Sequence, residues 1–233
     1  MNGFLIQCKI RKTELLQYLG IMLGGFVLGF VILLIIVNQS GENESATAGT
    51  MIAVILLLFV HFFSTIISFV GEFNTAVSMG ATRKNFVISY AIFNMIEITV
   101  LETGLFILGN LEKTVINQLF PGIRFEIDMT EFFAWKYMAG GVIEFTILEI
   151  FFAAVLLRFG MKAFWVLWAI WMLGALLPGN ISHNEKLSKE FTKIGLMLGG
   201  KITSTGIFVC VAFVLFVIAV IGWRILRKQQ VTV

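Results

Sequence analysis

Four carboxylates, Glu97, Glu102, Glu144 and Glu149, interrupt the third and fourth of six long apolar runs. A carboxylate at the centre of a bilayer is costly, about 2.5–3.5 kcal/mol on insertion scales for the related Asp. Such groups are expected to face a bundle interior, a partner subunit or a water-filled cavity. The members of each pair are five residues apart, which separates them by about 140° on a helix of 3.6 residues per turn. They therefore do not share one narrow stripe. If the third and fourth runs fold back antiparallel, Glu97 and Glu144 lie at similar mid-membrane depth. No Lys or Arg lies in the middle of any run to pair with them. Two uses follow: a polar lining for a translocation path that attracts cationic groups, or hydrogen-bonded packing against Asn94, Thr99, Thr103 or Thr146.

Other chemistry is sparse. The two histidines are His61, in the second apolar run near Ser64 and Thr65, and His183, in a polar segment. His61 is expected to be a hydrogen-bonded packing residue. Neither H-E-x-x-H nor G-x-S-x-G occurs, and one buried His is a weak sign of acid–base catalysis. The stretch "GLMLGGKIT", Gly195 to Thr203, nearly spells a P-loop. However, the position that must offer a hydroxyl to Mg²⁺ is Ile202. Cys8 and Cys210 form no C-x-x-C spacing and no disulfide framework. Neither enzymatic activity, nor a metal, nor a resident cofactor is expected in this chain.

The elements that must position these residues are membrane helices. Of the 233 residues 58% are hydrophobic, mean hydropathy is +0.94, and only 13% are charged, about half the share usual in a soluble domain. A net charge of +3 is too small to suggest nucleic-acid binding. A bilayer core needs about 20 apolar residues of helix. Runs of that order lie at about 18–38, 51–70, 86–109, 132–157, 163–179 and 203–223. The alternation of an outer-membrane barrel is absent, which leaves helices. The expected fold class is all-α, one polytopic domain over 1–233 with six transmembrane helices.

Residues 1–17 are weakly amphipathic and are expected to form an interfacial helix, continuing into a retained first span. Asn110 to Glu131 is long enough for a short helix or a small outer cap. After Pro178-Gly179, the residues Leu187, Phe191, Ile194 and Leu198 recur at helical spacing, which predicts a short amphipathic or re-entrant outer segment. Ten of the seventeen Lys and Arg residues fall on the side that holds both termini. That side is therefore predicted to be cytoplasmic. In the first span, Gly20/Gly24 and Gly25/Gly29 each make a G-x-x-x-G, which lets helices approach closely. That approach serves packing within one chain or pairing of two.

Between the second and third runs, Gly71 to Lys84 reads "GEFNTAVSMGATRK". It has room for a short helix, a turn at Gly80 and a basic lead into the next span. This stretch, with "MGATRKNF" as its sharpest part, resembles the loop after the second span in permease subunits of the type-two ABC exporter superfamily. The resemblance covers most of the chain: an N-terminal interfacial helix, six spans and an outer segment before the last. It implies that 71–85 is a cytoplasmic coupling loop docking a separate ATPase, with Glu72, Phe73, Met79, Gly80, Thr82, Arg83 and Lys84 as the docking candidates. It further implies two ATPase subunits carrying ATP and Mg²⁺, and a second permease copy or paralogue in a bacterial plasma membrane. The short six-span members are similar to systems that export hydrophobic or amphipathic peptides, antimicrobial ones included. Glu97, Glu102, Glu144 and Glu149 are then the translocation-path candidates. Two other classes remain open: an ATP-independent, proton-coupled carrier, and a non-transporting sensor or immunity protein. Arg83 and Lys84 would also suit a simpler role as headgroup anchors.

Overall fold

The computed structural model describes residues 3–40, 44–169, 172 and 204–228. Five long helices dominate: α1 (Gly3–Ser40), α2 (Ala48–Ser78), α3 (Arg83–Leu119), α4 (Trp135–Phe159) and α5 (Ser204–Lys228); residues 161–169 are also helical. Among the described residues, four stretches are long and apolar enough to cross a bilayer: Arg11–Gln39, Ala48–Ser78, Arg83–Leu119 and Tyr137–Phe159. Large apolar side chains such as Val27, Ile35, Ile92 and Ile107 remain exposed along them. Surfaces of this kind belong in lipid, and the chain has the character of a multi-pass membrane protein. The sixth apolar run falls on α5. Most of the fifth run, and the outer segment with its P-loop-like glycines, lie outside the described residues.

The chain divides into two compact units, Met1–Glu149 and Ile150–Gln230. In the first, α1, α2 and α3 pack directly on one another. Along α2 the buried positions Gly49, Ala53, Leu57, His61, Thr65, Phe69 and Phe73 recur every four residues, forming one i±4 ridge. Gly25 and Gly29 of α1 meet it where a Cβ would sit 3.1 Å from Ala53 Cα and 2.5 Å from the Ala48 carbonyl oxygen. Gly20 and Gly24 have nothing within 4 Å. One G-x-x-x-G thus serves contact within the chain, and the other faces outward. In the second unit, Gly222 of α5 lies against Phe151, and Gly160, at φ +67°, ends α4.

Several helices outrun their apolar sequences. The residues expected as an interfacial helix continue into the first span: α1 runs unbroken from Gly3 to Ser40. Nothing in this stretch, no proline in particular, interrupts its backbone hydrogen bonding. The expected loop at 71–85 is largely helical as well. α2 extends to Ser78, and a four-residue turn joins it to Arg83. Gly80 has φ +88°, and its N–H donates to the Val77 carbonyl while the Ala81 N–H donates to Ala76. This is a Schellman stop. Thr82 then caps α3, its side chain accepting from the Asn85 N–H. At 31 and 37 residues, α2 and α3 are about 46 and 55 Å long at 1.5 Å per residue. A hydrocarbon core is about 30 Å thick, so the hairpin exceeds it.

The opposite end is closed by a small cap. Strand β1 (Glu44–Ala46) pairs in parallel with β2 (Arg124–Ile127), followed by a 3₁₀ turn at Met129–Glu131. The expected loop Asn110–Glu131 is therefore half helix and half cap. Lys113 donates to Asp128 at 2.8 Å and to Thr130 at 2.7 Å. Burial acts against the Asp128 carboxylate, but hydrogen bonds from Lys113 and Thr130 outweigh it and hold its pKa below the ordinary value. Glu112, which the sequence places among the outer-loop acids, is fully buried. It accepts from the Gly49 N–H (2.7 Å), the Thr50 N–H (2.9 Å) and the Thr50 hydroxyl (2.7 Å). The first turn of α2 lacks a capping side chain from Thr47. Glu112 supplies the missing acceptor and a negative charge at the positive helix end.

Candidate functional site

The polar groups buried in the first unit form a cluster across α1, α2, α3 and the first half of α4. Arg11 is fully buried, and one of its terminal nitrogens lies 3.0 Å from the Glu97 carboxylate, itself fully buried. Its Nε donates to Glu14 at 3.2 Å, and Glu14 accepts from Ser68 of α2 at 3.3 Å. The guanidinium lies over the rings of Tyr90 (4.5 Å) and Phe93 (5.1 Å). A planar, delocalised cation suits such stacking in a way that an ammonium does not. The expectation that Glu97 has no cationic partner is therefore corrected. Arg11 reads in sequence as one more topology charge, but an uninterrupted α1 carries it into the bundle. A signal was present: Arg11, Tyr18 and Gly25 are seven residues apart, two turns each, and so share a face.

A second group lies further along α2. His61 Nδ1 is 2.9 Å from Glu149 Oε1, and the Asn94 amide donates to Glu149 Oε2 at 2.6 Å. Both oxygens of Glu149 are thus engaged. Tyr18 meets the His61 ring edge-on, centroids 4.8 Å apart. His61 is a hydrogen-bonded packing residue, as expected, but its partner is a carboxylate from α4 rather than the nearby hydroxyls. A His–carboxylate pair is able to hold or pass a proton.

His61 and Glu149 also line a cavity of about 300 Å³ between α2, α3 and α4. Its walls are mainly Leu and Phe, and Glu102 is the third polar residue on it. Glu102 is half-buried and sits over Gly141, where a Cβ would come within 2.9 Å of its carboxylate. Glu144, level with this region, is exposed instead. The pairings Asn94–Glu149 and Glu102–Gly141 set the register of α3 against α4. Glu144 is on none of these contacts and stays exposed. Similar depth therefore does not bring Glu97 and Glu144 together. Among the described residues, no three His, Cys, Asp or Glu side chains converge as metal ligands.

The hairpin-tip residues separate into two groups. Phe73 is fully buried, stacked with Phe69 (5.9 Å) and edge-on to Phe86 (5.6 Å). Its side chain joins α2 to α3. Glu72 and Arg83 are half-buried, whereas Met79, Gly80, Thr82 and Lys84 are exposed, Met79 at 77%. Comparison with protein-family models, curated proteins and solved structures finds no match to this chain.

Proposed function

We propose that this chain is the membrane-embedded subunit of an ATP-driven exporter, receiving work from a separate ATPase at the tip of the α2–α3 hairpin. The observation that supports this reading is the hairpin itself. Its two helices outrun a bilayer core, and the turn between them is stopped and capped on both sides. Just below the tip, Phe69, Phe73, Phe86 and Tyr90 interlock at centroid distances of 4.7–5.9 Å. A push on Met79, Thr82 or Lys84 is thereby carried into both helices rather than absorbed by a slack loop. The tip would face the cytoplasm, with both termini on that side. Two ATPase subunits and a second permease copy or paralogue would complete the assembly in a bacterial plasma membrane. The cargo would be hydrophobic or amphipathic, a peptide among the candidates.

The test is site-directed crosslinking of the full chain in its native membrane. With Met79→Cys, a crosslink to a nucleotide-hydrolysing protein is expected. With Val27→Cys, on an exposed apolar position of α1, none is expected. Equal capture at both positions, or none at Met79, rejects the reading. A second reading, a proton-coupled carrier, is favoured by the His61–Glu149 pair beside the cavity. Uptake by the reconstituted chain alone, driven by a pH gradient and lost in His61→Gln, would support it over the exporter.

A further inference from the structure

We propose that the α2–α3–α4 cavity is a binding site for a lipophilic ammonium ion. Its volume of about 300 Å³ is at the lower end of small-ligand pockets. The wall is mostly apolar, with Leu57, Leu101, Phe62, Phe133 and Phe145 among its residues. The polar groups on it are of one kind. Glu102 Oε2 is buried with no hydrogen-bond partner among the described residues, and so is His61 Nε2. When His61 donates its Nδ1–H to Glu149, Nε2 is left as a lone pair. The cavity therefore presents the unpaired carboxylate oxygen of Glu102, with His61 Nε2 as a second acceptor in that tautomer, and no Lys or Arg lines it among the described residues.

A buried acceptor without a donor is costly, so the matching ligand brings N–H donors and positive charge. An ammonium head satisfies Glu102, and its charge also suits the neighbouring aromatic faces. An apolar body of one or two rings fills the remainder. Gly141 is part of the design, since any Cβ there would displace the Glu102 carboxylate. The arginine cluster is separate, because Arg11 and Glu97 are ion-paired with each other and neither is among the residues lining the cavity. Any role of this site in transport rests on the exporter reading, but binding is measurable on the chain alone, so the two fail independently.

The experiment uses the full chain in nanodiscs of zwitterionic lipid, with empty nanodiscs subtracted for partitioning. Tritiated naphthylethylammonium, naphthylethanol and naphthylacetate are compared by equilibrium dialysis. Saturable binding of the ammonium ion is expected, with one ion per chain. The alcohol should bind about tenfold more weakly, because it keeps a hydrogen bond to the carboxylate but lacks the attraction between two opposite charges. The acetate should not bind. Glu102→Gln should weaken ammonium binding about tenfold, because the opposite charge on the protein is removed. Leu58→Trp adds bulk at a partly exposed lining position and should also reduce it, which guards against misfolding of the first variant. Equal uptake of all three probes, or unchanged binding in both variants, overturns the proposal.

Discussion

Removing either member of the Arg11–Glu97 pair should not cost the same. At 3.0 Å and an effective dielectric of about 20, the attraction is about 5 kcal/mol. Desolvating two ions offsets several kcal/mol each, so the intact pair contributes little net stability, while stranding one member costs about 3–5 kcal/mol. Arg11 has other neighbours. After Glu97→Gln it keeps Glu14 at 3.2 Å and the faces of Tyr90 and Phe93, which limits the loss to about 1.5–3 kcal/mol, the range for one hydrogen bond to a charged group. Glu97 has no such reserve, since neither oxygen has a hydrogen-bond partner among the described residues. Arg11→Met should therefore cost the full 3–5 kcal/mol or so. The double variant Arg11→Met/Glu97→Gln should be more stable than Arg11→Met alone, because the stranded charge is gone. The assay is equilibrium unfolding of the purified chain in mild detergent by added SDS, followed by circular dichroism. Two results would refute the reasoning: Arg11→Met within about 0.5 kcal/mol of wild type, or single effects that add within that margin.

Glu112→Ala should strand the Gly49 and Thr50 N–H groups and cost about 2–6 kcal/mol at roughly 1–3 per buried donor. Faster amide exchange at those two positions would be the local signature. Gly29→Ala should destabilise by about 1–3 kcal/mol, because the new methyl meets the backbone of α2. Gly24→Ala, with open space around it, should be neutral or stabilising by about 0.5–1 kcal/mol through helix propensity; the same unfolding assay checks both signs. Asp128 has a folded pKa below its ordinary value. Its contribution is therefore present above about pH 4, near the unfolded carboxylate value, and is lost as pH falls through the folded value. Asp128→Asn should flatten the acid limb of the stability–pH profile while lowering neutral-pH stability only slightly, since the pair is largely solvent-screened.

Much of the membrane architecture is legible in the sequence. Apolar runs of bilayer length mark where helices must form, because backbone groups in lipid have no other partner. Gly80 before Thr82 marks the hairpin turn, since both residues act through local backbone geometry. Helix ends are poorly legible: hydropathy records where lipid is, not where hydrogen bonding stops. α1, α2 and α3 all continue beyond their apolar runs, so residues 3–17 and 71–78 belong to helices longer than hydropathy marks. Partner choice is legible least of all. Glu112 reads as a loop acid and proves to be the cap of a helix more than sixty residues away in sequence. Arg11 reads as a topology signal and proves to be the counter-ion of Glu97. Glu144 and Glu149 look alike in sequence, yet one is exposed and the other is held by His61 and Asn94. Composition and periodicity are local averages, and they determine solvent and helix type. Which buried charge meets which depends on the rotation and register of neighbouring helices, set by contacts as small as Gly29 on Ala48, and only the tertiary structure decides it.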